Sequence, residues 1–215
     1  MKVVIASFAG LVRAVASYLP PGIMLSLSAA FISKGEYFSS WMDEFVGSLL
    51  MIACTFSAGK WIGADSLPVA WASHAMGVIA ADYFGGGPQV NPAVSLSMWS
   101  LGKISYTEFF VKVCGQMMGG MVAFPLFQYV AHTTLGLNEL GGPEFQATDD
   151  DEAVGAFLSE FFASVLLMFL IYAVNWELNF GKNHYIIKQT LTAVGIRFLI
   201  EVFPTAGPAM NPMLG

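Results

Sequence analysis

Residues 87–92 read Gly-Pro-Gln-Val-Asn-Pro, and residues 207–212 read Gly-Pro-Ala-Met-Asn-Pro. Glycine and proline before each Asn-Pro pair indicate a turn. Asparagine is favoured as a helix cap and proline at the first helical position, so each stretch predicts the start of a helix entered through a loop. The segments that follow, 92–101 and 212–215, are too short to cross a bilayer, which predicts two re-entrant half-helices.

A second motif repeats at nearly the same distance along the chain. Residues 44–50 resemble residues 160–166, so that Glu44 corresponds to Glu160. Two matches in the same order indicate that the chain consists of two related halves. The first half contains three predicted spans, an odd number, so the second half is inverted relative to the first. Inverted repeats with broken helices have their site near the bilayer midplane, where we expect the two Asn-Pro turns to meet.

The composition excludes several classes of protein. Of the 215 residues, 56% are hydrophobic and 11% are charged, whereas a soluble domain has about 25% charged residues. Soluble proteins and disordered chains are therefore both excluded. A net charge of −6 with nine Lys and Arg residues excludes a nucleic-acid-binding surface. Cys54 and Cys114 lack metal-site spacing. What remains is an integral, multi-pass membrane protein.

Five stretches are apolar enough to span a bilayer as helices of about 20 residues. Residues 132–152 contain no Lys or Arg, and we predict that they lie outside, because basic residues favour the cytoplasmic side. The fold predicted from this pattern is an all-α membrane protein. Its predicted spans are Trp41–Ala58, Leu67–Phe84, Ile104–Val130, Ala153–Val174 and Ile186–Phe203.

The N-terminal segment does not follow the repeat. Its apolar residues 3–32 are interrupted by Arg13 and by Pro20-Pro21, and the proline pair breaks or kinks a helix. A targeting segment and an amphipathic helix lying on the membrane both fit this pattern, and a full span is less favoured. The predicted units are an N-terminal segment at 1–40 and a repeat domain at 41–215, with repeats at 41–130 and, incomplete, at 153–215.

Paired Asn-Pro boxes in an inverted repeat, with an early glutamate in each half, resemble the aquaporin and aquaglyceroporin (major intrinsic protein) family. The resemblance covers about residues 41–215 and includes Gln116 in the third helix. It implies a homotetramer in which Asn91 and Asn211 present their amides to each protomer's pore, and half-helices whose positive ends point to its centre. The alternative is that each asparagine is only a helix cap. The box residues are Asn91, Pro92, Ala93, Asn211, Pro212 and Met213.

The resemblance also places the narrow filter of the family, by counting from the two boxes, at Trp71, Leu199, Pro208 and Leu214. Leu214 stands where the family usually has an arginine, and Met213 where the box usually has an alanine. The predicted constriction is therefore apolar, and such a constriction can gate by dewetting. In this respect the chain resembles the divergent intracellular aquaporins, which is compatible with an intracellular or organellar membrane.

Charged and titratable residues inside spans need a reason, because charge is costly in a bilayer. For Glu44 and Glu160 the alternatives are a proton relay and acceptance of backbone N–H bonds from the loops. The second is favoured because both halves carry the residue. Arg197 and Glu201 lie four residues apart and are predicted to form an ion pair; alternatively, Arg197 reaches the pore mouth. His74 is better explained by packing or hydrogen bonding than as a ligand.

These observations predict a passive channel for small neutral solutes, such as water or glycerol, that excludes protons and ions. No cofactor or metal site is indicated, and no residue pair has the spacing for acid–base or metal-assisted catalysis, so an enzyme is not predicted. The family resemblance implies a further span after Gly215, so we expect that the 215 residues are part of a longer protein, that the protein is truncated, or that residues 3–32 occupy the place of that span. The competing hypothesis is a non-conducting structural or assembly subunit of a membrane complex.

Overall fold

The structure is a computed structural model that describes residues 21–56, 66–137, 148–178, 184–203 and 209–214. Within these ranges the chain is helical and has no strand, which confirms the predicted all-α fold class. Each of the five predicted spans coincides with a helix. The helices are α1 (Pro21–Ser33), α2 (Phe38–Met51), α3 (Leu67–Phe84), α4 (Pro92–Ser100), α5 (Tyr106–Leu135), α6 (Asp150–Tyr172) and α7 (Tyr185–Val202).

Two of the described helical stretches are long and apolar enough to cross a bilayer, Tyr106–Leu135 and Asp150–Asn175. Large apolar side chains are exposed along both, an arrangement that suits contact with lipid. The exposed residues include Met121, Val122, Leu126 and Tyr129 on α5, and Leu158, Phe161, Phe162, Leu166 and Phe169 on α6.

Helices α5 and α6 extend further into the acidic stretch than the predicted spans do. α5 ends at Leu135 and is followed by Gly136, whose φ of 65° forms a left-handed C-cap. At the start of α6, the N–H of Glu152 donates to the carboxylate of Asp149 at 2.8 Å, and the N–H of Thr148 donates to Glu152 at 2.8 Å. Acidic residues in this first turn also favour the helix dipole. Hydropathy alone misses these turns because polar caps stabilise them.

The N-terminal helix α1 packs against α5. It begins at Pro21, as expected for a residue favoured in the first turn of a helix. Met24 joins α1 to the core in an apolar cluster with Trp41, Val111 and Cys114. Residues 1–20, on which the targeting interpretation depends, lie outside the described residues.

Helices α2 and α5 approach each other closely because two glycines face α2. A Cβ atom on Gly115 would lie 2.5 Å from the carbonyl oxygen of Trp41, and one on Gly119 would lie 2.7 Å from that of Phe45. Residues four apart lie on the same helix face, so the pair forms one groove for the α2 backbone. This contact sets α2, which carries Glu44, against the middle of α5.

The two halves share a local feature that the sequence motifs do not reveal. α2 continues into a π-helical turn at Ile52–Phe56, and α6 continues into one at Ala173–Glu177. Such turns are rare in helices and are frequent at functional sites. Gly77 on α3 and Gly195 on α7 also correspond to each other, because each lies close to a neighbouring helix. A Cβ atom on Gly77 would lie 2.5 Å from a carbonyl oxygen of the first π-helical turn, and one on Gly195 would lie 2.2 Å from a leucine side chain of α6.

Candidate functional site

The two Asn-Pro turns meet between the two halves of the molecule. The side-chain nitrogen of Asn91 donates to the carbonyl oxygen of Met210 at 2.7 Å, and that of Asn211 donates to the carbonyl oxygen of Val90 at 2.8 Å. Each half thus supplies both a donor and an acceptor to the other. The asparagines are nearly buried, with 6% and 5% of their surface exposed. The meeting of the turns is what the inverted repeat predicts.

Each asparagine also caps the helical turn that follows it. The side-chain oxygen of Asn91 accepts from the N–H of Ala93 at 2.9 Å, and α4 follows directly. The side-chain oxygen of Asn211 accepts from the N–H of Met213 at 3.1 Å, and the structure describes one turn, Pro212–Leu214, after it. The cap uses the amide oxygen and the cross-contact uses the amide nitrogen, so capping does not exclude a second role.

A carboxylate binds the loop in front of each asparagine. Glu44 accepts from the backbone N–H groups of Gln89 and Val90 at 2.9 and 2.8 Å. Glu160 accepts from the N–H groups of the two residues before Asn211, at 2.9 and 2.7 Å. In both halves one carboxylate satisfies two adjacent backbone donors that would otherwise lack a partner inside the protein.

The residue before each asparagine has a positive φ, which non-glycine residues rarely adopt. The φ of Val90 is 48° and that of Met210 is 50°. A β-branched residue such as valine is a genuine outlier there. Such strain costs on the order of 1–3 kcal/mol and persists only where the surroundings enforce it. The carboxylate at the N–H and the opposite asparagine at the C=O of each residue provide that enforcement.

Glu44 is fully buried and has further partners on α5. The Nζ atom of Lys112 lies 3.2 Å from Oε1 of Glu44, and Nε2 of Gln116 donates to Oε2 at 2.8 Å. Gln116 also donates to Ser95 at 2.8 Å, which ties α4 into the same network. A buried carboxylate is tolerated only when it is paired and hydrogen-bonded. Lys112 was not singled out in the sequence, although a lysine four residues before Gln116 in an apolar span is a visible signal.

A cavity of about 700 Å³ lies between the halves, and both Asn91 and Asn211 line it. Helices α3 and α7, which pack against each other, provide much of its wall. We call the end where α7 begins the inner end, because residues 132–152 are predicted to lie outside. The lining is polar at the inner end, where it includes Asp82, Gln89, Asn175, Tyr185, Lys188 and Gln189.

Of the four residues predicted for the filter, the structure places one, Leu214, on the cavity wall. Leu199 is 5% exposed and lies in an apolar cluster with α6. Among the described residues, the cavity lining includes neither Leu199 nor Trp71, but it includes His74, one turn after Trp71. Pro208 lies outside the described residues.

Met213, which stands in the alanine position of the second box, packs away from the cavity. It is 6% exposed and lies in an apolar cluster with Ile52 and Ala123. A Cβ atom on Gly120 would lie 2.8 Å from Cγ of Met213. The glycine therefore provides the space that the larger side chain occupies.

The position of Arg197 agrees with both alternatives that were predicted for it from the sequence. Its guanidinium forms an ion pair with the carboxylate of Glu201, one turn further along α7. Its side chain also lines the cavity, as does His74 on α3. The ion pair and the position on the cavity wall therefore do not exclude each other.

The similarity to a known family extends over most of the sequence and is not confined to the two boxes. The family model described as Major intrinsic protein matches residues 31–214. The chain belongs to the major intrinsic protein family. This confirms the resemblance stated from the sequence, and it makes the protein membrane-integral, since the family is.

Individual members of the family are distant relatives. The chain is 25% identical over 197 residues to Aquaporin NIP3-1 of Arabidopsis thaliana, covering 86% of this chain and 59% of the relative. It is 26% identical over 181 residues to Aquaglyceroporin-9 of Botryotinia fuckeliana (strain B05.10), covering 77% and 38%. It is 24% identical over 196 residues to Aquaporin-9 of Mus musculus, covering 80% and 65%. The chain thus spans between 38% and 65% of the length of these curated relatives.

Two cavity-lining residues of this family member were not predicted from the sequence, although they lie at corresponding positions in the two halves. Thr55 and Asn175 lie in the two π-helical turns, and both line the cavity. The hydroxyl of Thr55 donates to the carbonyl oxygen of Met51 at 2.6 Å, and the amide of Asn175 donates to that of Ile171 at 2.8 Å. The available signal was a polar residue near the end of each corresponding span.

A polar contact at the inner end was also missed. The hydroxyl of Tyr185 donates to the carboxylate of Asp82 at 2.6 Å and joins α7 to α3 at the cavity wall. The two residues are 103 positions apart. Span and motif analysis treats each helix separately, so it has no means of pairing them.

Proposed function

We propose that the protein is a passive channel for small neutral solutes, such as water or glycerol, and not an enzyme. One observation carries the proposal. Asn91 and Asn211 each donate a hydrogen bond to the loop of the opposite half, and both side chains line one cavity between the halves. Membership of a family whose relatives include aquaporins and an aquaglyceroporin supports it. The cavity is the proposed path.

The asparagine amides provide the hydrogen bonds for the solute at the narrow centre of this path. A carboxamide has two N–H donors. In each asparagine one donor is used by the carbonyl of the opposite half. The second is left for an oxygen atom of water or of a polyol. A solute that accepts these bonds loses its hydration at little cost.

The same centre opposes the passage of protons and cations. Helix α4 begins at the asparagine contact, and so does the turn after Asn211. The N-terminus of a helix carries a partial positive charge. The positive end of α4, directed at this point, raises the electrostatic energy of a cation there, whereas a neutral solute is unaffected.

Glu44 and Glu160 act as structural supports of the loops in this proposal, not as a proton relay. Each carboxylate already accepts two backbone N–H bonds, and Glu44 is paired with Lys112. These bonds hold the backbone of the two loops, and they account for the presence of a carboxylate in each half. A homotetramer with one cavity in each protomer is proposed from the family resemblance.

One feature favours a second candidate function, a non-conducting subunit of a membrane complex. Leu214, Ile196 and Ile200 make part of the cavity wall apolar. An apolar section can exclude water and close a channel. The two candidates differ in one measurable property, the permeability of a membrane that contains the protein.

A vesicle experiment tests the channel function. Proteoliposomes with the full-length protein are mixed with a hyperosmotic solution of sucrose or of glycerol, and their volume is followed by stopped-flow light scattering. We expect faster water or glycerol flux than in empty vesicles, and a reduced flux for Asn91→Leu. Gln128→Leu removes an exposed amide on α5, outside the cavity lining, and serves as the matched control. Flux equal to that of empty vesicles contradicts the proposal and favours the non-conducting subunit.

A further inference from the structure

Two nitrogen atoms on the cavity wall lack partners in the part of the chain that the structure describes. Nε of Arg197 and Nε2 of His74 are buried, and neither has a hydrogen-bond partner among the described residues. Arg197 lies on α7 and His74 on α3, two helices that pack against each other. Both side chains line the cavity. They therefore form one polar site on a wall shared by two helices.

The chemistry of these groups restricts what satisfies them. A guanidinium nitrogen only donates, whereas a neutral imidazole has one donor and one acceptor nitrogen. A buried donor without an acceptor is costly, so the group that fills this space must supply an oxygen. A hydroxyl group both accepts and donates, and it matches the pair in either tautomer of His74.

The surroundings of the pair narrow the choice further. Glu201 holds the guanidinium through an ion pair that is itself partly exposed, so the cation has a fixed position. Ile196 and Ile200 flank Arg197 on the same helix and also line the cavity, and they offer no hydrogen bonds. A solute at this level must replace its lost water through His74 and Arg197.

We propose that His74 and Arg197 determine the solute specificity of this chain by binding the oxygen atoms of an uncharged, hydroxylated solute, a small polyol. This inference rests on the proposed channel function. It moves the specificity determinants away from the residues that counting from the boxes selects. The guanidinium comes from α7, in a chain that has a leucine at position 214.

The ratio of glycerol permeability to water permeability in proteoliposomes tests this inference. Arg197→Met is expected to lower the ratio about fivefold, the effect of one lost hydrogen bond on a transport barrier. His74→Leu is expected to lower it in the same direction. Lys34→Met and His132→Leu remove an exposed cation and an exposed imidazole outside the cavity lining, and the ratio should stay unchanged in both.

The outcomes separate this inference from the function on which it rests. A wild-type protein that conducts neither solute overturns both. A conducting protein whose ratio is the same in wild type, Arg197→Met and His74→Leu overturns the specificity inference alone. All variants are compared at equal reconstituted amounts, and if Arg197→Met does not fold, the ratio for His74→Leu decides the result.

Discussion

The oxygen and the nitrogen of each box asparagine side chain make different hydrogen bonds. In Asn91 the oxygen caps α4 and the nitrogen binds the carbonyl of Met210. The carbonyl belongs to a residue with positive φ, so the amide both orients a helix and stabilises a strained turn. A smaller side chain at this position loses both functions at once, which makes the residue more costly to replace than an ordinary cap.

Asn91→Ala is therefore expected to destabilise the protein about twice as much as the loss of a cap alone. A helix cap contributes about 1 kcal/mol, and a hydrogen bond to a buried carbonyl contributes about as much again. Ser105→Ala, which removes only the cap at the start of α5, is the matched comparison. Thermal unfolding in detergent measures both, and equal losses for the two variants would show that the cross-contact adds nothing.

The Glu44–Lys112 pair provides a second prediction at this scale. Glu44→Gln removes the buried counter-ion of the 14% exposed Lys112 and leaves Glu108, 4.0 Å away and 40% exposed, as its remaining ion-pair partner. Breaking such a buried pair costs about 3–5 kcal/mol. The double variant Glu44→Gln/Lys112→Met is expected to recover part of this loss, because the partly buried ammonium group is removed as well. The free energies of unfolding of the two single variants and the double variant form the measurement. Strict additivity would mean that the ion pair does not couple the residues.

Among the elements, the contact of α2 with α5 depends on small residues more than on apolar ones. Hydropathy found both helices, because their apolar content exceeds that of a soluble helix. It did not predict which faces of the two helices pack together, because that depends on where their backbones can approach each other closely. Gly115 and Gly119 define that direction, and through it the position of Glu44 below the first loop.

Gly119→Ala tests this contact. The added Cβ would lie 2.7 Å from both the carbonyl oxygen of Phe45 and Cβ of Ser48, so one helix must move. Overpacking of this kind costs about 1–3 kcal/mol. Gly22→Ala in α1 meets nothing within 4 Å and is the control, expected to be neutral or slightly stabilising. If both variants unfold at the same temperature, close packing at Gly119 is not needed.

At the scale of the whole molecule, the sequence repeat was sufficient to predict the meeting of Asn91 and Asn211, because a repeat with an odd number of spans has to be inverted. It was not sufficient to identify the side chains that line the cavity. Counting from a box crosses a loop without helical geometry, and an error of one residue rotates a side chain about 100° around its helix. Among the described residues, His74 lines the cavity and Trp71, three residues earlier, does not. The Lys112 and Tyr185 contacts depend on distances between helices, which no single segment contains.

Leu214 is the predicted filter residue that lies on the cavity wall, and it gives a prediction at this scale. Leu214→Arg introduces a charge and up to five N–H donors beside the asparagine contact. We expect the relative permeabilities of water, glycerol and urea in proteoliposomes to change. Leu135→Arg, at the exposed end of α5 beyond the predicted span, controls for the added charge. Unchanged permeabilities for all three solutes would remove Leu214 from the constriction.

The crossed hydrogen bonds of the two asparagines have a consequence for how such a chain can be divided. Residue 91 binds residue 210 and residue 211 binds residue 90, which is the reciprocity of an isologous dimer with a twofold axis in the membrane plane. Neither half satisfies the carbonyl group of its own strained turn. Each is completed by its counterpart, so two separately synthesised fragments have a thermodynamic reason to reassociate, in opposite orientations, at this axis.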